Sequence, residues 1–245
     1  SLKSSAKLGK SDWSILEADE SDGSFVHIPS TYSIITNIDR EHMDFYKTIK
    51  DLKKYFSEFI KKVPSFGKSF ICIDDKINKE LIKDIESKNF YTYGKNKNSN
   101  FLIKNIIQKK NISRFDLIVN LPNKKKQTIK NIKIPLIGIH NVRNSVAAAA
   151  VALTVGITTN DIKDGLLRFN GVQRRFNKIF TLNGVDFYDD YAHHPTEIKM
   201  TLDGVKKVYK DYEKVCVFQP HRISRLRDLR KEFSFSFQNA DIVIL

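Results

Sequence analysis

The chain has 245 residues, 41% of them hydrophobic, and a net charge of +14 from 42 lysines and arginines against 28 aspartates and glutamates. That length is long for one domain and comfortable for two, with enough apolar material for real cores. No stretch approaches the roughly 18 uninterrupted apolar residues of a membrane span, and residues 1–15 lack the apolar centre of a secretory signal, so the plain reading is a cytoplasmic protein.

Residues 13–18 (WSILEA) and 32–37 (YSIITN) are short, β-branched, nearly continuous apolar runs, which predict two strands buried on both faces of a parallel sheet. Between them, EADESDGSF (17–25) gathers Glu17, Asp19, Glu20 and Asp22 in an otherwise basic chain. From 45 to 63, Phe45, Ile49, Leu52, Phe56, Phe59 and Val63 recur every three or four positions, the spacing of an amphipathic helix. A strand at 69–74 and a helix at 77–87 follow, then short alternating runs between 90 and 134 expected to pair antiparallel at the sheet edge. The alanine-rich run 140–156 predicts a helix closed by Gly156, and 159–168 a further short helix. FNGVQRRF (169–176) supplies a glycine turn and a change of composition, so the domain boundary is expected between 170 and 171. Beyond it, a strand at 185–190, a helix from Pro195, a strand at 215–218, a helix at 222–238 and a strand at 241–245 predict a second α/β unit with a parallel sheet. The chain opens on Ser1 and closes on an apolar, strand-like run, so both ends are expected to be cut.

Much of the lysine excess is scattered among asparagine and isoleucine, as in 95–111, which fits a solvated surface rather than a nucleic-acid groove. Cys72 and Cys216 lie in apolar strand-like runs and read as buried thiols. Open parallel sheets bind ligands outside the carboxyl ends of their strands, and the polar residues collect there. Glu17 ends the first strand while Asn37, Asp39 and His42 follow the second, so Glu17 and His42 are expected in one crevice. Singly, Glu17 reads equally as an ion-paired carboxylate and His42 as a surface or capping histidine. Asn141 and Asn144 stand three apart at a helix start, where amides cap backbone N–H groups or meet a ligand such as a purine edge.

DDYAHHPTE (189–197) places two carboxylates at a strand end, then a histidine pair and a proline suited to a first helical turn. An N-cap with a structural tyrosine is the plain alternative and a zinc pair a rival, against which the lack of any CxxC or HExxH weighs. QPHRISRLRD (219–228) sets His221, Arg222 and Arg225 at the next strand-to-helix turn, where guanidinium groups either grip a carboxylate or phosphate or form a solvated helix face. Of six histidines, five (His42, His140, His193, His194 and His221) fall in these turns, a concentration that a random scatter would rarely give.

In order along the chain, EADESDGSF, TNIDREHMDFY, GIHNVRNSVAAAAVA, GVQRRF, DDYAHHPTEI and FQPHRISRLRDL closely resemble the motifs of the Mur ligases, and among them the alanine-adding members, over essentially the whole chain. The resemblance implies an α/β fold. Residues 1–170 would be the central ATPase domain, incomplete at its amino end, with a mostly parallel sheet flanked by helices. Residues 171–245 would be a truncated, Rossmann-like α/β carboxyl-terminal domain that binds the amino acid. It also implies ATP and Mg2+ as cofactors, UDP-N-acetylmuramate and L-alanine as substrates, and neither nucleic acid nor a membrane span. The UDP-sugar domain and the phosphate loop of the family are absent, since no GxxGK[ST]-like run occurs, and the segment alone is expected to be inactive.

Carried over by resemblance, Glu17 corresponds to a magnesium-binding carboxylate and His42 to the ligand or close neighbour of a second magnesium. His140, Asn141 and Asn144 correspond to nucleotide contacts. Arg175 resembles the arginine that reaches the ATP phosphates from the domain junction, and Asp190 the aspartate that holds the nucleotide from the second domain. Tyr191, His193, His221, Arg222 and Arg225 resemble the alanine pocket. Glu17, His42 and Arg175 form the implied catalytic set. The carbamylated lysine of many family members would fall near Ser57 and Glu58, where no lysine stands, as in the alanine-adding members. The murein-peptide recycling ligase of the same family and a basic nucleic-acid-binding protein are the alternatives.

Overall fold

The computed structural model describes residue 6, residues 8–86 and residues 89–245. Its larger unit is a six-stranded sheet whose strands lie side by side in chain order: β1 (Tyr32–Ile35), β2 (Lys68–Cys72), β3 (Phe90–Gly94), β4 (Phe101–Lys109), β5 (Ile112–Val119) and β6 (Gln127–Ile134). β1 to β4 pair in parallel, whereas β5 runs antiparallel to both β4 and β6. β3 thus joins the parallel part, a difference from the antiparallel edge expected over 90–134. Alternating apolar residues mark a half-buried strand without fixing its direction.

Helices cover both faces. On one, α1 (Met43–Tyr46), α2 (Ile49–Lys61) and α3 (Lys76–Leu81) enclose a core of Phe25, Ile35, Leu52, Phe59, Ile71 and Leu81. On the other, α4 (Ile139–Thr154) and α5 (Thr159–Arg168) pack Val142, Val146, Ala150 and Ile162 against Phe70, Tyr93, Phe115 and Ile132. The small alanines of α4 let the helix lie close on the sheet, and Gly156, at φ 90°, terminates it as the sequence predicts. Thr48, Asp75 and Thr158 cap α2, α3 and α5 by accepting first-turn N–H groups.

Three expected elements of this unit change. Residues 13–18 form no strand: Trp13 leans on the Tyr32 ring, centroids 5.8 Å apart, but Ile15 is 94% exposed, so no layer covers the run. The helix expected over 45–63 is two, because Lys47 takes a left-handed φ of 62° and Thr48 starts a new one. The helix expected over 77–87 ends at Leu81, and its last residue, Ser87, lies outside the described residues.

The second unit pairs β9 (Val215–Val217) in parallel with β10 (Ile242–Ile244), with α6 (Pro195–Val208), α7 (Ile223–Asp228) and α8 (Arg230–Ser236) around a small core of Ile198, Leu202, Phe218, Leu229 and Phe233. The helix expected over 222–238 breaks at Leu229, whose φ of −117° leaves the helical region. The strand expected over 185–190, β8 (Val185–Asp189), joins no parallel sheet. It pairs antiparallel with β7 (Asn177–Leu182) through a turn in which Asn183 and Gly184 both have positive φ. Asn-Gly between apolar runs is the local signal that reveals this hairpin.

The two units also touch at a tyrosine cluster: the Tyr209 hydroxyl donates to Asn111 Oδ1 at 3.0 Å, and Lys110 Nζ lies 4.5 Å from the centre of the Tyr212 ring. Among the described residues, no helix is long and apolar enough to cross a membrane.

Candidate active site

A cleft of about 910 Å³ lies between the two units, at the ends of β1 and α4 on one side and of β8 and α6 on the other. Six residues given roles by the resemblance line it together: Glu17, His140, Asn141, Asn144, Arg175 and Asp190. Asn141 Nδ2 donates to the Ile137 carbonyl at 2.7 Å, which secures the start of α4, while the Asn144 side chain one turn on is exposed on the helix.

His140 is held in place by Gly138. At φ 90°, Gly138 lies so close to the imidazole that a Cβ there would stand 2.5 Å from a ring carbon. Burial first, then the Arg143 and Arg175 guanidinium groups, push the His140 pKa down to about 4, against a smaller upward pull from Glu197, and Nδ1 is buried without a hydrogen-bond partner. The ring is therefore neutral at pH 7.

On the facing side, Arg175 Nη1 donates to Glu197 Oε1 at 2.8 Å. Burial alone would raise the Glu197 carboxyl, but the His193 backbone N–H, the Arg175 guanidinium and the His194 backbone N–H hold it below the usual carboxylate value. Glu197 and His194 form a reciprocal cap at the start of α6, with Pro195 in its first turn. Burial raises Asp190 despite the bond it accepts from the Ala192 N–H at 2.7 Å.

The remaining expected residues lie elsewhere. His42 does not share the cleft with Glu17. It occupies a left-handed turn (φ 55°) before α1, its Nε2 stands 3.6 Å from Glu20 Oε1, and it lines a separate pocket of about 30 Å³ with Arg222 and Arg225. The two spaces are linked by Glu20, which pairs with His42 and lines the cleft, and by Glu41, which lines both. The expectation of one crevice for Glu17 and His42 is corrected to two adjoining spaces, because with 13–18 unpaired, Glu17 is not a strand end beside β1.

Tyr191 and His193 are outside the cleft. Tyr191 lies under the Arg174 guanidinium, 4.4 Å from its ring centre, and His193 Nδ1 is 2.9 Å from the Tyr191 carbonyl. His221 is exposed, and its carbonyl accepts from Arg225 Nη1 at 3.3 Å.

The residues the sequence reading left without a role are Glu41, Glu197 and Thr196, with His194 noted only as half of a pair. Thr196 donates to Asp39, and His194, 5% exposed, stands 3.8 Å from both Asp39 Oδ2 and Glu41 Oε2. The spacing of His194 and Glu197 is a capping-box signal that would have found one pair. Nothing local distinguishes Glu41 within its charged run.

Two of the cleft's carboxylates, Glu17 and Glu20, are hard oxygen donors of the kind magnesium accepts. Among the described residues, no group of three or more His, Cys, Asp or Glu side chains is arranged as a complete metal site. Magnesium commonly takes one or two protein carboxylates and completes its shell with water and substrate phosphates, so the donor set fits the ion.

A mixed sheet flanked by helices, a second α/β unit and a cleft between them define the class of protein. The Mur ligase middle domain matches residues 4–152 and the Mur ligase, glutamate ligase domain matches 174–245, so the chain belongs to the Mur ligase family. It is 68% identical over 244 residues to UDP-N-acetylmuramate–L-alanine ligase of Pelagibacter ubique, covering all of this chain and 53% of that protein. It is 42% identical to the ligase of the same name from Brachyspira hyodysenteriae, covering all of this chain and 52% of that protein. The crystal structure of UDP-N-acetylmuramate-alanine ligase MurC from Thermotoga maritima superimposes with a TM-score of 0.70 at 25% identity, over 92% of this chain and 48% of that one. The chain spans about half the length of the curated relatives it matches.

Proposed function

We propose that the chain is the ATP-binding and amino-acid-binding part of a cytoplasmic ligase that joins L-alanine to the lactyl carboxylate of UDP-N-acetylmuramate, with the boundary between its two domains at 170/171. The observation that carries this reading is the cleft shared by both units, lined by Glu17, His140, Asn141, Asn144, Arg175 and Asp190, in a chain 68% identical to a ligase of that name.

In this reading the lactyl carboxylate attacks the terminal phosphorus of ATP in line, giving an acyl phosphate and ADP. The amine of L-alanine then attacks the acyl carbon, the nitrogen loses a proton, and inorganic phosphate leaves. The first step brings anions together, so positive charge must be held at the phosphates. Arg175 supplies it from the domain junction, where Glu197 fixes its guanidinium. Asn144 and Asn141 orient the base, neutral His140 presents an uncharged ring beside it, and Asp190 holds the nucleotide from the second domain. Glu17, with Glu20 on the same wall, would hold magnesium, which supplies charge neutralisation at the phosphate oxygens when bound. Closure of the two units on each other would exclude water from the acyl phosphate.

The test is turnover by the full-length protein. ADP release sustained over many turnovers is expected to require both UDP-N-acetylmuramate and L-alanine, with no use of a preformed peptide as acceptor. Arg175→Ala is expected to lower kcat by about 10³ or more, the size of arginine effects in phosphoryl transfer. Near-normal turnover of that variant would remove Arg175 from the role.

A further inference from the structure

Arg225 is only 9% exposed, yet it is not free to receive a ligand. Its Nε donates to Glu41 Oε1 at 2.7 Å, its Nη2 donates to the same oxygen, and its Nη1 donates to the His221 carbonyl at 3.3 Å. All three guanidinium nitrogens are engaged, two of them by a carboxylate from the other domain. The second oxygen of Glu41 stands 3.8 Å from His194 Nε2, at the start of α6. One carboxylate on the loop after β1 therefore ties down α7 of the second unit through Arg225 and lies beside His194 at the start of α6.

We propose that Glu41 is a positioning and specificity-determining residue: it occupies the guanidinium of Arg225 in place of the carboxylate of the free amino acid, and must be displaced for that substrate to bind. The proposal rests on the reading of the cleft and its neighbouring pocket as an amino-acid ligase site. Its physical basis is that a guanidinium edge fitted to a carboxylate binds any carboxylate of the right reach, whether from the chain or from a ligand. Holding Glu41 there has two consequences. Amino acid binds more weakly than the bare pocket would allow, which discriminates against ligands without a free carboxylate to exchange. The domains also stay joined at this edge until exchange occurs. Both side chains are largely buried, Arg225 at 8% and Glu41 at 20% exposure, so the guanidinium is released only where another carboxylate takes the place of Glu41.

The experiment uses the full-length protein with Glu41→Gln, Glu41→Asp and Arg225→Lys. Glu41→Gln keeps the shape and removes the charge. It is expected to lower KM for L-alanine by about five-fold or more, because a neutral amide competes less well than a carboxylate for the guanidinium, with KM for ATP unmoved. Glu41→Asp, which keeps the carboxylate, is expected to restore the original KM, and Arg225→Lys, which loses the fork, to raise it. A purely structural role for Glu41 would instead lower kcat or raise every KM together, and that result, or an unchanged KM for L-alanine in Glu41→Gln, overturns the proposal.

A second arm measures the radius of gyration of the same proteins by X-ray scattering without substrates. Glu41→Gln is expected to expand relative to the unsubstituted protein, and equal radii overturn the latch. If the unsubstituted protein forms no alanine adduct, the reaction assigned above falls, and the scattering arm still decides whether Glu41 holds the domains together.

Discussion

Acidification from pH 7 to pH 5 is expected to weaken the central unit through His140. The ring is buried under Gly138 with Nδ1 unpartnered, and its pKa is pushed down to about 4 from an ordinary 6.5, burial being the main cause. Above pH 6.5 the imidazole is neutral in both the folded and unfolded chain, so it contributes no pH dependence. Between 6.5 and about 4 only the unfolded chain takes up the proton, so stability falls as the pH drops, and below about 4 both forms are protonated and the loss levels off. At pH 5 the penalty works out at about 2 kcal/mol. Other carboxylates titrate in the same range, so the measurement is a comparison of slopes. Urea unfolding at pH 7, 6 and 5, followed by the fluorescence of Trp13, the chain's single tryptophan, reports on the unit that contains His140. His140→Gln removes the titrating ring and is expected to flatten the curve by that amount. Parallel curves for the two proteins would refute the assignment of a buried, neutral His140.

Gly138→Ala is expected to cost about 1–3 kcal/mol, since alanine is strained at φ 90° and its methyl would press on the His140 ring; thermal denaturation checks it, and an unshifted midpoint would mean that the imidazole moves aside freely. The two asparagines of α4 are expected to separate. Asn144→Ala should weaken ADP binding, read by calorimetric titration, while leaving stability within about 0.5 kcal/mol. Asn141→Ala also loses the bond to the Ile137 carbonyl and should cost about 1 kcal/mol in urea unfolding. Equal destabilisation by both would show that Asn144 is structural too.

Much of this arrangement could be read from periodicity and turn chemistry. α5 spans the residues expected of it, 159–168, and α4 closes at Gly156 because a left-handed glycine ends an alanine-rich run cheaply. The departures have local causes that a hydrophobic pattern does not register. Lys47 and Leu229 interrupt helices whose apolar faces run straight through the break, and 13–18 has strand composition but no neighbour to hydrogen-bond. Single residues at the cleft were legible where a motif fixed them to an element end, as with Asn141 on α4. Their mutual placement was not: whether Glu17 and His42 share one space, or Arg225 meets a ligand or Glu41, depends on how the second unit docks. That docking is decided by contacts between residues more than 150 positions apart, such as Glu41 with Arg225 and Asp39 with Thr196.

The tyrosine cluster gives the junction an uneven character. Where Glu41 meets Arg225 of α7 the seam is a charged contact, and where Lys110 and Asn111 meet Tyr209 and Tyr212 it is aromatic surface with hydroxyl contacts. Loss of the charged contact would free one edge and leave the other, so the halves would swing like a door on its jamb instead of drifting apart.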